Sequence, residues 1–140
     1  MAIRIGALAR QTHCTVETIR YYEQTGLLPE PLRTAGNYRL YHAEHIERLH
    51  FIRHCRALDM SLEEIRVLLS YRDTPQQACD EVNGLLDQHI SKLDQQIADL
   101  LQLKQRLQGL RSHCRGENTA ESCGILQELT HCSCTTEKMN

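Results

Sequence analysis

The chain has no tryptophan, one phenylalanine and only three prolines among its 140 residues. It has no apolar run close to the roughly 20 residues that a membrane-spanning helix needs. Its N-terminus, Met-Ala-Ile-Arg-Ile, lacks the apolar core of a secretory signal peptide. These absences predict a soluble cytoplasmic protein that contacts no membrane, a compartment in which cysteines stay reduced.

Lysine is absent from residues 1–72, which hold ten arginines and eight acidic residues. Residues 73–140 hold six basic and ten acidic residues, so the net charge is +2 in the first part and −4 in the second. The planar guanidinium of arginine suits phosphates and guanine edges. An excess of +2 is modest, so the placement of the arginines has to support any interpretation as a nucleic-acid-binding protein.

The longest periodic pattern runs from Thr74 to Leu110 and is typical of a coiled coil. Thr74 is predicted to be its N-cap, with Pro75 at the first helical position. The two sets of heptad positions are Leu86, Leu93, Leu100 and Leu107, and Asn83, Ile90, Ile97 and Lys104. Such a stripe requires a second helix against it. Taken alone, it predicts a dimerisation helix and no other function.

Seven cysteines, an odd number, fit free or metal-bound thiols better than a disulfide framework. Cys79 lies near the start of the predicted long helix and Cys114 just past its end. At 1.5 Å per residue the helix between them spans roughly 52 Å, so one chain cannot bring both thiols to one ligand. If two copies pair antiparallel, Cys79 of one subunit meets Cys114 and Cys123 of its partner, twice per homodimer.

The N-terminal residues predict two short helices, Ile3 to Gln11 and Val16 to Gln24, joined by a turn at residues 12–14. Gly26 suits the left-handed position that ends the second helix. This spacing is typical of a helix-turn-helix, whose second helix enters the major groove of DNA. The predicted DNA contacts on the outer face of that helix are Thr15, Thr18, Arg20 and Tyr21.

A turn at Gly36-Asn37 and the alternation of Tyr38 to Tyr41 predict a small β-wing. Arg33, Tyr38 and Arg39 are its predicted DNA contacts, whereas Tyr41 is expected to pack on the helices. A third helix, Ala43 to Leu58, carries Arg48, Arg53 and Arg56, each of which is either solvated or bound to phosphate. Arg53 is included among the predicted contacts. Ser61 to Glu64 is a capping box that opens a fourth helix.

Five segments together resemble the MerR family of transcription regulators: Thr18-Ile-Arg-Tyr-Tyr-Glu23, Gly26-Leu-Leu-Pro29, Asn37-Tyr-Arg-Leu-Tyr41, Leu49-His-Phe-Ile-Arg53 and Ser61-Leu-Glu-Glu-Ile65. Residues 83–90 and 122–126 are similar to the lead- and cadmium-responsive branch of PbrR and CadR. The resemblance implies a mainly all-α bacterial protein with four parts. These are a winged helix-turn-helix (1–73), an antiparallel coiled-coil dimerisation helix (74–111), a metal-binding loop with a short helix (112–130) and a cysteine-containing tail (131–140).

Cys79, Cys114 and Cys123 are predicted to bind a soft cation, because thiolates select thiophilic metals. Three sulfurs suit Pb(II) first, with Cd(II) or Hg(II) as alternatives. Zn(II) is less favoured, since Arg115 follows Cys114 and the loop lacks histidine. Cys132 and Cys134 form a possible second metal site in the tail. Cys14 and Cys55 are expected to be core residues.

The resemblance implies binding to an operator in double-stranded promoter DNA, and activation of metal-resistance genes when the metal is bound. RNA polymerase would be an indirect partner, because it would act on the promoter that the regulator has distorted. Three alternatives remain: a metal-buffering protein that uses the same thiols without DNA, a regulator of this fold that responds to mercury, redox state or a drug, and an enzyme with a thiol nucleophile. The enzyme is disfavoured because adjacent His and Cys residues on a helix do not face each other.

Overall fold

The structure is a computed structural model that describes residues 2–114, 116 and 119–131. The described elements are α1 (Ile5–Thr12), α2 (Val16–Gln24), β1 (Leu32–Arg33), β2 (Arg39–Leu40), α3 (Ala43–Ala57), α4 (Leu62–Arg72), α5 (Asp80–Arg111), a 3-10 turn (Ala120–Ser122) and α6 (Gly124–Thr130). This mainly helical fold confirms the predicted class. Among the described helices, none is both long and apolar enough to cross a membrane. The predicted second site at Cys132 and Cys134 lies outside the described residues.

The first compact unit, residues 1–87, contains the predicted helix-turn-helix. His13 ends α1 in the left-handed conformation, with φ 55°. Thr15 then caps α2, since its hydroxyl accepts the Thr18 backbone N–H at 3.1 Å. Gly26, with φ +82°, follows α2 in the conformation that glycine adopts without strain. The limits of α2 are those predicted from the sequence, and α1 begins two residues later than predicted.

The β-wing is a two-stranded antiparallel hairpin in which Leu32 pairs with Leu40 and Arg33 with Arg39. Asn37 adopts φ 67° in its turn, as the Gly36-Asn37 signal predicted. Tyr41 forms an isolated bridge to Ile3 and is fully buried. Its hydroxyl donates a hydrogen bond to Glu23 on α2, which fixes the base of the wing to the second helix.

Two apolar clusters form the core of this unit. The first contains the buried Leu8, Ile19, Leu28, Tyr41 and Leu49, and Cys14 packs against it. The second contains Leu27, Ile52, Cys55, Met60, Ile65 and Leu69. Burial raises the pKa of the Cys55 thiol. Cys14 and Cys55 are therefore core residues, as predicted.

The long helix α5 begins at Asp80, so the prediction that Thr74 caps it is wrong. The Thr74 hydroxyl instead donates to the Ser70 carbonyl at 3.0 Å, which extends the C-terminal turn of α4. The Cys79 carbonyl accepts the Val82 N–H at 3.0 Å and is the first acceptor of the new helix. Asp80 and Glu81 occupy its first turn, where negative charge is favourable. Cys79 is thus the residue that precedes α5 and not one within it.

The second compact unit begins at Gln88, and its described part contains the rest of α5 and the short helix α6. The His113 ring lies 3.7 Å from the Glu128 carboxylate, and its Nδ1 lies 3.0 Å from the Gly109 carbonyl. A groove of about 370 Å³ lies beside them, lined mainly by Leu103, Leu107, Leu110 and Leu129. The predicted apolar helix after the loop is confirmed, and it packs on the end of α5.

The buried side chain of His45 is expected to make the free energy of unfolding depend on pH. The residue is 2% exposed, its Nδ1 accepts the His42 N–H at 2.9 Å, and burial lowers its pKa from the ordinary 6.5. The unfolded chain therefore binds a proton on this histidine near pH 6.5, whereas the folded chain binds it only at lower pH. We expect the free energy of unfolding to fall as the pH drops from 7 to 5 in urea titrations, and the slope to flatten in His45→Asn.

The matched control for this prediction is His13→Asn, because His13 is exposed and asparagine tolerates its left-handed backbone conformation. This variant should keep the wild-type dependence of the unfolding free energy on pH. An unchanged slope in His45→Asn would show that other groups cause the acid sensitivity.

Candidate nucleic-acid interface and metal centre

Four arginines surround a groove between the second helix and the wing. The groove has a volume of about 220 Å³ and is lined by Arg4, Ile5, Arg20, Arg33, Asn37, Tyr38 and Arg39. It brings together four of the predicted DNA contacts, namely Arg20 from α2 and Arg33, Tyr38 and Arg39 from the wing. A concentration of guanidinium groups between a helix and a hairpin is suited to a phosphate backbone.

The wing residues are held by contacts within the hairpin and with α2. Arg33 donates to the Asn37 carbonyl oxygen at 3.2 Å, across the hairpin turn. The Arg39 Nε lies 3.8 Å from Glu23 Oε2, whose side chain is only 7% exposed. The ring of Tyr38 is 54% exposed. These contacts fix the backbone of the wing and leave an aromatic ring at its tip for a partner.

Arg4 is a functional candidate that the sequence interpretation missed. Its guanidinium carbon lies 4.1 Å from the centroid of the Tyr38 ring, a cation–π contact. Arg4 precedes α1 and is 34 positions from Tyr38, so no local pattern links the two residues. The Ile3–Tyr41 bridge brings the two segments together.

The other predicted DNA contacts lie outside this groove. Tyr21 is 49% exposed, and Arg53 is also exposed. The Thr15 hydroxyl donates to the Thr18 hydroxyl at 2.8 Å and also caps the helix. Thr15 therefore has a structural role whether or not it contacts DNA.

Two arginines of α3, Arg48 and Arg56, donate hydrogen bonds within the protein. Arg48 donates to the Leu27 carbonyl and to Asp73. Arg56 donates to the Met60 carbonyl at 2.8 Å. Neither guanidinium is simply solvated, and both are used to connect elements of the fold.

The three predicted metal-ligating cysteines are accessible free thiols. Cys79 and Cys114 are exposed and Cys123 is half-buried, in contrast to the buried Cys55. Cys114 follows α5, and Cys123 directly precedes α6. In the part of the chain that the structure describes, no group of three or more His, Cys, Asp or Glu side chains is placed to hold a metal ion.

Gly124 determines how the two segments of the loop meet. A β-carbon at this position would overlap the backbone carbonyl of His113. Only glycine therefore permits this approach without a backbone shift. Because Cys114 follows His113 and Cys123 precedes Gly124, the contact places the two cysteines on adjacent segments. The turn signal Gly116-Glu-Asn118 in the sequence lies largely outside the described residues.

The groove between α2 and the wing yields a test of DNA binding. Arg20→Ala should weaken operator binding about 5- to 150-fold, the range for loss of one specific contact, as measured by fluorescence anisotropy. If Arg20 contacts phosphate, the slope of log affinity against log salt should also decrease by about 1. Arg66→Ala on α4 is the control, since Arg66 pairs only loosely with Glu63 at 3.9 Å. Equal affinity losses in both variants would contradict a specific role for the groove.

Comparison with known proteins gives consistent matches over most of the chain. The family described as MerR HTH family regulatory protein matches residues 3–72, and that described as MerR, DNA binding matches residues 46–110. The HTH-type transcriptional regulator ZntR homolog of Haemophilus influenzae is 50% identical over 109 residues, which cover 78% of this chain and 81% of that protein. ZntR of Escherichia coli K12 is 42% identical over 130 residues, covering 90% and 91%.

A solved structure is also similar at the level of both sequence and fold. The crystal structure of the transcription regulator PbrR691 from Ralstonia metallidurans CH34, in complex with lead(II), superposes with a TM-score of 0.84. It is 49% identical and covers 91% of this chain and 98% of that one. The proteins named in these comparisons are transcription regulators.

Proposed function

The chain belongs to the MerR family of helix-turn-helix regulatory proteins, and from that premise we propose that it activates transcription from promoter DNA when it binds lead(II). The observation that most supports lead(II) is the similarity to a regulator whose crystal structure contains lead(II). The three accessible cysteines near the ends of α5 agree with it. The cysteine assignment and the identity of the metal are both parts of this proposal.

The DNA-binding part of the proposal is supported by the groove between α2 and the wing. In a helix-turn-helix the second helix enters the major groove of DNA. The corresponding helix here, α2, would present Thr18, Arg20 and Tyr21 to the bases and phosphates. The wing then contacts the flanking backbone through Arg33, Tyr38 and Arg39, with Arg4 behind Tyr38. Base contacts would set the operator sequence, and phosphate contacts would set the position.

A homodimer is supported by the apolar stripe of α5, which a single chain leaves uncovered. Several of its large apolar side chains are more than half exposed, among them Ile90, Ile97, Leu100 and Leu107. Exposed apolar residues at heptad spacing are the signature of a helix that pairs with another helix. Two chains paired in this way carry two DNA-binding units, which fits an operator with two half-sites.

The donor set fits a soft cation. Cys79, Cys114 and Cys123 offer three sulfurs that core packing does not consume. In an antiparallel dimer the start of one α5 lies beside the end of the other, so Cys79 of one subunit joins Cys114 and Cys123 of the second subunit. A bound cation would supply bonds that tie the two chains together at this place. Three thiolates suit lead(II), and they also accept cadmium(II) or mercury(II).

The regulatory mechanism follows from what the chain's own residues would do. Closing the loop of Cys114 and Cys123 onto Cys79 of the other subunit shifts the start of α5, and with it the DNA-binding unit that precedes it. The two units then bend and untwist the operator, which aligns the promoter elements for RNA polymerase. The output is a difference between two bound states, so operator affinity needs to change little.

Run-off transcription from the promoter next to the chain's own gene tests the proposal directly. Pb(II), Cd(II), Hg(II) and Zn(II) should be titrated separately, each with purified RNA polymerase. Pb(II) should activate at the lowest concentration. Activation by none of the four metals would refute metal-responsive regulation, whereas activation by Hg(II) or Cd(II) first would keep the function and replace the metal.

A further inference from the structure

Arg48 is a charged residue of α3 whose side chain is largely buried, with 16% of it exposed. Its Nε donates to the Leu27 carbonyl at 2.6 Å. Its Nη1 donates to both carboxylate oxygens of Asp73, at 2.8 and 3.1 Å. One side chain therefore joins two segments that are 46 residues apart in sequence.

The first of these segments ends the second helix of the helix-turn-helix. The backbone N–H groups of Leu27 and Leu28 both donate to the Tyr22 carbonyl, at 3.0 and 3.1 Å. These bonds fix the Leu27 carbonyl relative to the last turn of α2. Whatever holds that carbonyl also holds the C-terminal end of the helix that enters DNA.

The second segment is the point where the chain leaves the DNA-binding unit. Asp73 caps the C-terminus of α4, and its N–H donates to the Leu69 carbonyl at 2.9 Å. Residues 74–79 then lead to Asp80, where α5 begins. The proposed ligand Cys79 lies at the end of this linker, six residues after Asp73.

A second ion pair on the same helices shows that this contact is distinctive. Arg72 lies 3.3 Å from Glu47, which also joins α4 to α3 across 25 positions. That pair is more exposed, with side chains 38% and 69% exposed, against 16% and 49% for Arg48 and Asp73. Exposed pairs of this kind contribute little to stability. Arg48 also donates a hydrogen bond to the segment that follows α2.

We propose that Arg48 and Asp73 are positioning residues that couple the linker before α5 to the orientation of the recognition helix α2. This inference rests on the proposed function, because it describes how a change at Cys79 reaches the DNA contacts. A displacement of the linker moves Asp73, Asp73 moves the guanidinium of Arg48, and the guanidinium moves the Leu27 carbonyl. A short chain of charge-assisted hydrogen bonds through the largely buried Arg48 side chain transmits such a shift better than the more exposed Arg72–Glu47 pair does.

Asp73→Ala tests the coupling because it removes the carboxylate and leaves Arg48 bonded to Leu27. We expect the ratio of metal-induced to basal transcription to fall about fivefold or more, the usual lower range for loss of coupling between sites. Metal affinity and the operator affinity of the metal-free protein should stay within about twofold of wild type. Asp73→Asn, which keeps an acceptor for Arg48, should restore part of the ratio.

Glu47→Ala is the matched control, since it breaks the other α3–α4 ion pair and leaves the Arg48 contacts intact. It should keep the wild-type induction ratio. The proposal is overturned if Asp73→Ala keeps that ratio, if Glu47→Ala loses it to the same extent, or if Asp73→Ala loses operator binding without metal, which would indicate a purely structural role.

Amide hydrogen exchange separates this proposal from the proposed function. In the metal-free protein, Asp73→Ala should accelerate exchange at Leu27 and Leu28 several-fold, whereas Glu47→Ala should not. Failure of the wild-type protein to respond to any metal would refute the proposed function alone. Unchanged exchange at Leu27 and Leu28 in Asp73→Ala would refute the coupling, whatever the metal response.

Discussion

Replacement of Cys79 by serine is expected to abolish metal-dependent transcription, while the metal-free protein still binds its operator. Loss of one of three thiolates should weaken the binding of a soft cation at least about 100-fold, since even outer-shell changes cost 10- to 100-fold. Because activation in this proposal requires the bound metal, the induction ratio should fall to about one. Run-off transcription and an operator gel shift measure the two properties on the same preparation.

The structure makes Cys79→Ser a clean substitution. The Cys79 side chain is exposed, so its replacement leaves no cavity. Its carbonyl accepts the first backbone bonds of α5, and these are unaffected by the side chain. Serine is moreover favoured at the position that precedes a helix, so the start of α5 should be kept or strengthened. A loss of response can therefore be assigned to the sulfur.

Cys14→Ser is the control for this experiment. Cys14 is partly buried in the DNA-binding unit and its Sγ donates weakly to the Thr12 carbonyl at 3.5 Å, a bond that a hydroxyl can replace. This variant should respond to metal like the wild-type protein. Full metal-dependent transcription from Cys79→Ser would remove Cys79 from the site.

The elements that the sequence predicted well are those with a local signal at each end. The helix α2 lies between the capping Thr15 and the left-handed Gly26, and its limits were predicted correctly. The capping box of Ser61 and Glu64 is also present in the structure. Side chain and backbone act within a few residues in these cases, so no tertiary information was needed.

The start of α5 shows where local signals mislead. Threonine followed by proline is a sound helix start, but the Thr74 hydroxyl bonds backwards to the Ser70 carbonyl and prolongs the end of α4. Two competing uses of one hydroxyl are equally plausible from the sequence. The tertiary contacts at this position, including the hydrogen bond from the Tyr71 hydroxyl to Glu81, are invisible to a pattern.

The candidate site was only partly predictable for a related reason. Residue type and family resemblance indicated the three cysteines and the arginines of α2 and the wing. The roles of Arg4 and Arg48 depend on contacts across 34 and 25 positions, with Tyr38 and Asp73 respectively. Such contacts appear only when the fold brings the segments together. Arginine at either position is otherwise indistinguishable from a solvated surface charge.

A metal site shared between subunits predicts that two defective chains restore each other. In the proposed dimer each site takes Cys79 from one chain and Cys114 and Cys123 from the other. Homodimers of Cys79→Ser, and homodimers of the double variant Cys114→Ser/Cys123→Ser, should both fail to bind lead(II) tightly. A heterodimer of the two variants contains one site with all three sulfurs and one site with none.

The heterodimer should therefore bind one lead(II) ion per dimer with near wild-type affinity, against two for the wild-type protein. Two different affinity tags allow its purification, and the ultraviolet absorption of lead–thiolate bonds counts the ions during titration. A site within one chain requires Cys79 and Cys114 of the same chain, and neither chain of the heterodimer has both. Zero tight sites in the heterodimer would thus contradict the shared site. A site within one chain is disfavoured from the start, because the 32 residues of α5 place roughly 48 Å of helix between these cysteines.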